Sequence, residues 1–282
     1  MQKRIILIIV SAACLLPGGC ASSQTGAPEQ GAARPAAEFT PLVLESAVPF
    51  DGGDPQSPWL DISLALLEPA DTAPGIGNLA RELFYGGQSA ADYGNAVIAE
   101  YKKQYADLRG EWVLRRERPL ESFNWYYAEK AESREVSVAG FMPGRERLLV
   151  LTKTTETYLG GAHGNRFTSY FVIDPAAVKR LGLDDIFASR EELRLLLEAE
   201  LRRLFRLPEG APLSEAGFFE DRVELPENFS FAGDAPGGIP GGPGAAPPSV
   251  RFLWNTYEAA PYAMGAIEVS LPLGSLSRLL RE

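Results

Sequence analysis

The chain has 282 residues, a formal net charge of -10 at pH 7 and only two cysteines. Its length is sufficient for one or two hydrophobic cores, which excludes the small secreted scaffolds that depend on disulfides. The acidic balance disfavours nucleic acid and anionic lipid head groups as partners, and it favours a cationic partner.

The N-terminus has the three-part composition of a bacterial signal peptide. Lys3 and Arg4 precede an apolar run, Ile5 to Leu16, and small residues then lead to Cys20. The run is too short to stay in a membrane as a helix, because about 30 Å of hydrocarbon requires about 20 residues. We therefore predict export, with residues 1–19 removed as the signal peptide.

The residues before Cys20, LPGGC, resemble a bacterial lipobox, with Pro17 where leucine is usual. The resemblance implies that Cys20 receives a diacylglyceryl group and anchors the protein to a membrane. The alternative is a plain secretory signal with an incidental cysteine. Residues 20–40, rich in Ala, Ser, Gly and Pro, predict a disordered linker. The expected location is the cell envelope, at the periplasmic or outer-membrane face.

Residues 41–120 predict a small α+β domain. Two apolar runs between Leu42 and Leu67 are typical of strands, and DGGDPQSP between them is typical of a turn. A helix is predicted from the N-cap Ser89 to Leu108. Its stripe of aromatic and apolar residues recurs every four positions and is more typical of a core than of a sugar-stacking surface. The stripe consists of Tyr93, Val97, Tyr101 and Tyr105.

Residues 121–282 predict a second α+β domain. Three strands between Ser122 and Ile173, joined by turns rich in glycine, predict an antiparallel meander with one wet face. A capping box at Ser189 predicts a helix lying across the dry face of this sheet. Short strands at RVEL, NFSF, SVRFLWNTY and GAIEVSL and a terminal helix from Ser275 follow. The Gly/Pro tract at 233–248 predicts a disordered excursion within a hairpin.

The fold class predicted from these elements is α+β, with antiparallel sheets and packed helices in two subdomains after the lipidated tether. Four strings carry a resemblance to a known family: YLGGAHGN from Tyr158, FVID from Phe171, LDDIF from Leu183 and YEAAPYAMG from Tyr257. They resemble the extracellular domain of unknown function of RsiV-type anti-sigma factors and of many envelope lipoproteins. The first half of the chain resembles the small domain that precedes it in PdaC-type deacetylases.

The resemblance implies an α+β fold and does not imply catalysis. In the anti-sigma branch of the family the domain binds lysozyme, a cationic enzyme that degrades the cell wall. A non-catalytic binding role at the wall is therefore the expectation that the resemblance carries.

His163 is the only histidine in the chain, and this narrows the possible chemistry. Zinc hydrolases typically use two or three histidines, so we expect no metal centre and no cofactor. A catalytic triad with Ser169 or Thr168 remains open, but no G-x-S-x-G pattern supports it. The favoured interpretation is that glycines around His163 shape a sharp loop between strands.

Carboxylates leave a glycan hydrolase open as the alternative function. The visible pairs are Asp184-Asp185, Glu191-Glu192 and Glu220-Asp221. Adjacent residues diverge on strands and helices alike, so none of these pairs is a ready acid and base. Asp51 and Asp54 lack the full spacing of a calcium loop and are better explained by a turn.

Two loops remain as candidates for binding. One contains Tyr158, His163 and Asn165, and the other contains Tyr257, Glu258 and Tyr262. If the loops meet at one end of the sheet, they form an amphipathic patch suited to a sugar or a basic protein; otherwise the tyrosines are core residues. The expected function is non-catalytic binding of a peptidoglycan fragment or of a cationic, lysozyme-like protein acting on the wall.

Overall fold

A computed structural model of the chain describes residues 37–49, 59–70, 74–115, 124–233 and 248–281. All the described residues belong to one compact unit. The predicted signal peptide, Cys20, most of the linker, Asp51, Asp54 and nearly all of the Gly/Pro tract lie outside the described residues. Within the described ranges, no helix is both long enough and apolar enough to cross a membrane.

The fold is α+β, as predicted. A large sheet has six strands in the order β1-β2-β3-β4-β5-β6, and a small sheet has the order β7-β8-β9. The large sheet consists of β1 (Phe39–Pro49), β2 (Trp59–Pro69), β3 (Trp125–Ser137), β4 (Arg147–Tyr158), β5 (Asn165–Asp174) and β6 (Lys179–Leu181). The small sheet consists of β7 (Phe229–Ala232), β8 (Ser249–Trp254) and β9 (Ile267–Pro272).

Five α-helical segments accompany the sheets in the described ranges: α1 (Pro74–Tyr85), α2 (Ala90–Arg115), α3 (Leu183–Ile186), α4 (Arg190–Leu204) and α5 (Leu273–Leu276). Ser89 caps α2 as predicted, because its Oγ accepts the Asp92 amide at 3.1 Å. Ser189 caps α4 in the same way, with 3.2 Å to the Glu192 amide. The helix α1 was not predicted. Its proline and glycines at the start, PGIGN, obscure the helical pattern.

One strand pair differs from the antiparallel expectation. The strands β2 and β3 run parallel, with Leu60 opposite Trp125, while all other neighbours in both sheets are antiparallel. The helices α1 and α2 lie in the connection between them and return the chain to the end where β2 began, as a parallel crossover requires. The predicted domain boundary at residue 120 stays a prediction, but the described strands on either side of it join in one sheet.

The two faces of the large sheet are covered by different cores. On the helix face, α1 and α2 pack on Leu60, Ile62, Leu64, Leu149 and Leu151. On the second face, Leu148, Val150 and Val172 pack with α4 and the small sheet. Residues 148–151 are all buried, since β4 is covered on both faces there. The expectation of one wet face therefore holds only where the small sheet does not reach.

The helix α4 buries Leu193, Leu197 and Leu201, while Leu196 and Leu204 are exposed. It approaches β9 of the small sheet instead of lying directly across the large sheet. The hairpin of β7 and β8 pairs Phe229 with Phe252, so both arms are as predicted. RVEL, residues 222–225, forms no strand.

The tyrosine stripe of α2 belongs to the core on the helix face, as predicted. Tyr105 is 2% exposed, and Tyr93 and Tyr101 are partly buried against the same core. Tyr101 lies 4.4 Å from Tyr127 of β3 between ring centroids. These rings join α2 to the sheet and do not form a surface for sugars.

A buried ion pair lies at the centre of this core. Glu129 of β3 is 2% exposed. Its Oε2 accepts from the Tyr93 hydroxyl at 2.8 Å and the Tyr127 hydroxyl at 2.7 Å. Its Oε1 lies 3.1 Å from Lys153 Nζ. The ammonium donates to Phe84 O at 2.9 Å and to Tyr93 Oη at 2.8 Å, so its contact with Glu129 is ionic without being a directed hydrogen bond.

Replacing Glu129 should destabilise the protein strongly. Glu129→Gln leaves the Lys153 ammonium, whose side chain is only 19% exposed, without its counter-charge. Loss of one partner of a fully buried pair typically costs about 3–5 kcal/mol, and we expect a loss near the lower end of that range. The matched control is Glu132→Gln on the same strand, whose partner Lys130 is 61% exposed; loss of an exposed pair costs at most about 1 kcal/mol. Urea unfolding monitored by circular dichroism measures both. Equal losses for the two variants would contradict the role given to Glu129.

The same core predicts a loss of stability in alkali. Burial raises the pKa of Tyr85 to about 12. Burial, followed by the charge of Glu129, also raises the pKa of Tyr93 and of Tyr127. Above pH 10 the unfolded chain releases phenolic protons that the folded chain retains, so the free energy of unfolding falls as pH rises. The slope is about 1.4 kcal/mol per pH unit for each such tyrosine.

Urea unfolding at intervals from pH 8 to pH 12 tests this slope. Stability should be constant with respect to these tyrosines up to about pH 10 and should fall above it. In Tyr127→Phe the free energy of unfolding should fall less steeply with pH, by about 1.4 kcal/mol per pH unit, because one such tyrosine is missing. A free energy of unfolding that does not change between pH 10 and pH 12 would refute the prediction.

Candidate functional site: an aromatic band on the large sheet

The two loops that the sequence marks as candidates meet in the structure. The His163 and Tyr262 rings stack with centroids 3.6 Å apart and planes 17° apart. The Tyr262 hydroxyl donates to Gly164 O at 2.9 Å. His163 is exposed and its Nδ1 lies 3.1 Å from Gly164 O. The His163 ring is therefore oriented by a tyrosine and a backbone carbonyl.

Glycines shape the first loop in two different ways. Gly160 and Gly161 have φ of 82° and 98°, in the left-handed region that glycine adopts without strain. At Gly164 the constraint is space, because a Cβ atom would lie 2.9 Å from Thr157 O and 3.0 Å from Tyr126 Oη. The close approach of Tyr126 to the loop thus depends on the missing side chain.

Tyr158 continues the aromatic surface onto the sheet. Its ring stacks on Tyr126 of β3, with centroids 6.1 Å apart and planes 15° apart. Its hydroxyl donates to Gly161 O at 2.9 Å, which ties the ring to the glycine loop. Tyr126 was not among the predicted residues. The feature that identifies Tyr126 is its position opposite Tyr158 in the β3-β4 register, and this register cannot be derived from the sequence alone.

Trp59 extends the surface to β2. It lies beside Tyr126 along a depression of about 410 Å³ whose polar lining includes Asp61, Ser63 and Asn124. Trp59 is 44% exposed and Tyr126 is 41% exposed. Both lie on the second face because their neighbours Leu60 and Tyr127 pack on the helix face. Only the parallel pairing of β2 with β3 brings them together.

Tyr257 completes the surface at its other end. Its ring centroid lies 5.8 Å from that of Tyr262, and the residue is 54% exposed. Its φ of 72° is unusual for a bulky side chain and costs of order 1–3 kcal/mol. The Glu258 carboxylate accepts the Asn255 amide at 2.7 Å, so this residue holds the turn that imposes the strain.

Two asparagine side chains that flank strands of the small sheet attach this turn to the edge of β5. The strand β6 pairs only with residues 172–174 of β5. Further along the edge, Asn255 Oδ1 accepts the Thr168 amide at 2.8 Å and Asn228 Oδ1 accepts the Tyr170 amide at 2.8 Å. These bonds protect the strand edge and position the Tyr257 turn against the glycine loop.

The predicted residues thus separate into three groups. Tyr158, His163, Tyr257 and Tyr262 lie together with their rings partly or largely exposed. Glu258 is engaged in its turn. Asn165 pairs with Thr157 on β4, whose side chain lies on the helix face, so Asn165 faces away from Tyr158. We call these neighbouring rings, on the second face and on the two loops beside it, the aromatic band; its members are Trp59, Tyr126, Tyr158, His163, Tyr262 and Tyr257.

Three of the four carboxylates in the first two adjacent pairs, Asp184, Asp185 and Glu191, are held in ion pairs. Arg190 binds both oxygens of Asp184, at 2.7 and 2.9 Å, and its hydrogen bonds lower the pKa of that carboxyl group. A hydrogen bond from Lys179 lowers the pKa of Asp185. Glu191 accepts from Arg194 and Arg222. A general acid needs a raised pKa, so Asp184 and Asp185 are unsuited to that role.

In the third pair, Asp221 accepts the Ser214 hydroxyl. Among the described residues there is no group of three or more His, Cys, Asp or Glu side chains able to hold a metal ion.

Comparison with known proteins shows the fold. The sequence matches no protein-family model, and no curated protein matches it. The structure is similar to that of a DUF3298 family protein from Bacteroides fragilis, with a TM-score of 0.68 and 21% identity, covering 88% of this chain and 94% of that one. A DUF3298 family protein from Pseudomonas aeruginosa matches with a TM-score of 0.48 and 18% identity, over 86% and 95% of the two chains. The chain therefore has the same fold as the Bacteroides fragilis protein, whose family is a domain of unknown function.

Proposed function

We propose that the protein is a lipid-anchored envelope protein whose aromatic band binds the glycan of the cell wall without cleaving it. The observation that carries this proposal is the clustering of exposed aromatic rings on the second face of the sheet and on the two loops beside it. Apolar faces of sugar rings pack on aromatic rings, and sugar hydroxyls need polar groups at the rim. Asp61, Ser63 and Asn124 provide such groups beside Trp59.

The dimensions of the band suit a chain of sugars better than a single ring. Neighbouring strands lie about 4.8 Å apart, so the distance from β2 to the start of β5 is about 14 Å. The rings of His163, Tyr262 and Tyr257 extend the surface beyond β5. Strain at Tyr257 adds support, because residues held in sparsely populated conformations cluster at binding sites.

The proposed location in the cell envelope rests on the N-terminal sequence. The charged start, the apolar run and the lipobox-like LPGGC support export and lipidation at Cys20. A folded domain anchored at Cys20 through the linker is held within reach of the wall. The net charge of -10 argues against nucleic acid as the ligand.

A cationic, lysozyme-like protein is the second candidate ligand. The net charge of -10 favours it, and so does the resemblance to the RsiV-type domain. Exposed aromatic residues also serve as anchors in protein interfaces. The two ligands are distinguished by salt, because binding to a cationic protein weakens steeply with ionic strength while stacking on sugars does not.

Single aromatic substitutions test the proposed site. Trp59→Ala and Tyr158→Ala should each weaken binding of the full chain, purified in detergent, to peptidoglycan by about tenfold, since loss of an aromatic anchor costs about 1–2 kcal/mol. The control is Phe167→Ala. Phe167 is 44% exposed, like Trp59, and lies on the helix face of the same sheet. Cosedimentation with purified sacculi measures all three.

Wall binding that is unchanged in both band variants, or is lost equally in Phe167→Ala, would refute the site. Binding only to lysozyme, abolished by 0.5 M salt, would support the protein ligand instead of the glycan. Release of soluble muropeptides that depends on a carboxylate would favour the hydrolase.

Fatty-acid labelling tests the anchor. Cells expressing the protein with labelled palmitate should incorporate label into the wild type and into Cys14→Ser, but not into Cys20→Ser. Cys14 is the matched control because it is the other cysteine and lies within the predicted signal. Label on Cys20→Ser, or its absence from the wild type, would refute lipidation at Cys20.

A further inference from the structure

A second depression lies on the same face of the large sheet, between β3, β4 and β5 and the neighbouring strand β8. Its volume is about 430 Å³. Three arginines line it: Arg134 of β3, Arg166 of β5 and Arg251 of β8. The hydroxyl side chains of Thr152, Thr154, Thr168 and Tyr170 line it as well, together with Ser133 and Glu132. We call this feature the arginine cleft.

The positive charges of the cleft are incompletely balanced by the described residues. Arg134 donates to the neutral carbonyl of Phe231 at 2.7 Å. Burial and then the positive charge of Arg251 lower the pKa of the Arg134 guanidinium. Two guanidinium groups that repel each other in a partly buried position are stabilised when an anion lies between them.

The other two arginines have carboxylate neighbours at longer distances. Arg251 Nε lies 3.3 Å from Glu268 Oε1. That Nε is buried and makes no hydrogen bond within the described residues. Arg166 Nε lies 3.4 Å from Glu156 Oε1, and its side chain is 69% exposed. Arg166 and the terminal nitrogens of Arg251 therefore keep donor capacity that a ligand oxygen can use.

The acidic residue of the cleft is already engaged. Glu132 pairs with Lys130 at 2.5 Å, and the glutamate is 55% exposed. Thr154 and Thr168 hydroxyls lie 3.1 Å apart and form a polar floor between the arginines. Guanidinium groups around hydroxyl groups are the donor set that carboxylate and phosphate oxygens prefer.

We propose that the arginine cleft binds an oxyanion, the carboxylate or phosphate group of a small ligand or of a polymer substituent. The cleft is separate from the aromatic band, so this proposal stands without the glycan. The two features share a face: Glu156, the partner of Arg166, lies two residues before Tyr158 on β4, so their side chains are on the same side of the sheet. An acidic group attached to a ligand on the band would lie on the face that carries the cleft.

Calorimetric titration of the full chain in detergent with inorganic phosphate and with succinate tests the proposal, at an ionic strength held constant with sodium chloride. We expect saturable binding of at least one anion. Arg251→Gln and Arg166→Gln should each weaken it roughly tenfold, the value of a hydrogen bond to a charged group. The control is Arg203→Gln on α4, whose side chain is 68% exposed and paired with Glu200; it should bind like the wild type.

Preference for phosphate or for succinate identifies the oxyanion, and either result supports the proposal. Tyr158→Ala should retain anion binding, so failure of the glycan proposal would leave this result unaffected. The proposal is overturned if neither anion binds saturably at constant ionic strength. It is also overturned if Arg203→Gln weakens binding as much as Arg166→Gln, because general charge then explains the effect. Thermal unfolding of each variant without anion shows whether it is folded.

Discussion

The fold depends on one buried ion pair, Glu129 with Lys153. A carboxylate and an ammonium removed from water are costly unless they are well paired and hydrogen-bonded. Here the hydroxyls of Tyr93 and Tyr127 bind one oxygen of Glu129, and the carbonyl of Phe84 binds the Lys153 ammonium. The other oxygen of Glu129 keeps only its ionic contact with Lys153. The network therefore joins β3 and β4 to the end of α1 and the start of α2. It accepts one arrangement of these four elements, because any other leaves a buried charge unpaired.

The same pair determines which residues face the ligand side. Side chains alternate along a strand, so Glu129 on the helix face places Tyr126 and Arg134 on the second face. Because Lys153 is on the helix face, Thr154 and Tyr158 are likewise on the second face. A register shift of one residue would bury the band and expose the ion pair. The register of β3 and β4 thus determines both the stability of the core on the helix face and the exposure of the candidate sites on the second face.

The second face consequently carries two neighbouring chemistries. Where the small sheet does not reach, exposed rings form the aromatic band; next to β8, guanidinium groups and hydroxyls form the arginine cleft. The connection from β8 to β9 contributes Tyr257 and Tyr262 to the band, and β8 itself contributes Arg251 to the cleft. The attachment of the small sheet to the β5 edge by Asn228 and Asn255 therefore positions residues of both features.

The sequence by itself determined what depends on neighbours along the chain. The helix-capping residues Ser89 and Ser189 predicted the starts of α2 and α4. The turns between β3, β4 and β5 predicted their antiparallel order, and the glycines around His163 predicted a sharp loop. Tertiary structure alone decided what depends on distant pairing. The parallel β2-β3 register brought Trp59 to Tyr126, and packing of β8 brought Arg251 to Arg134. Periodicity reports which face of an element is apolar, but it carries no information on which other element covers that face or lies beside it.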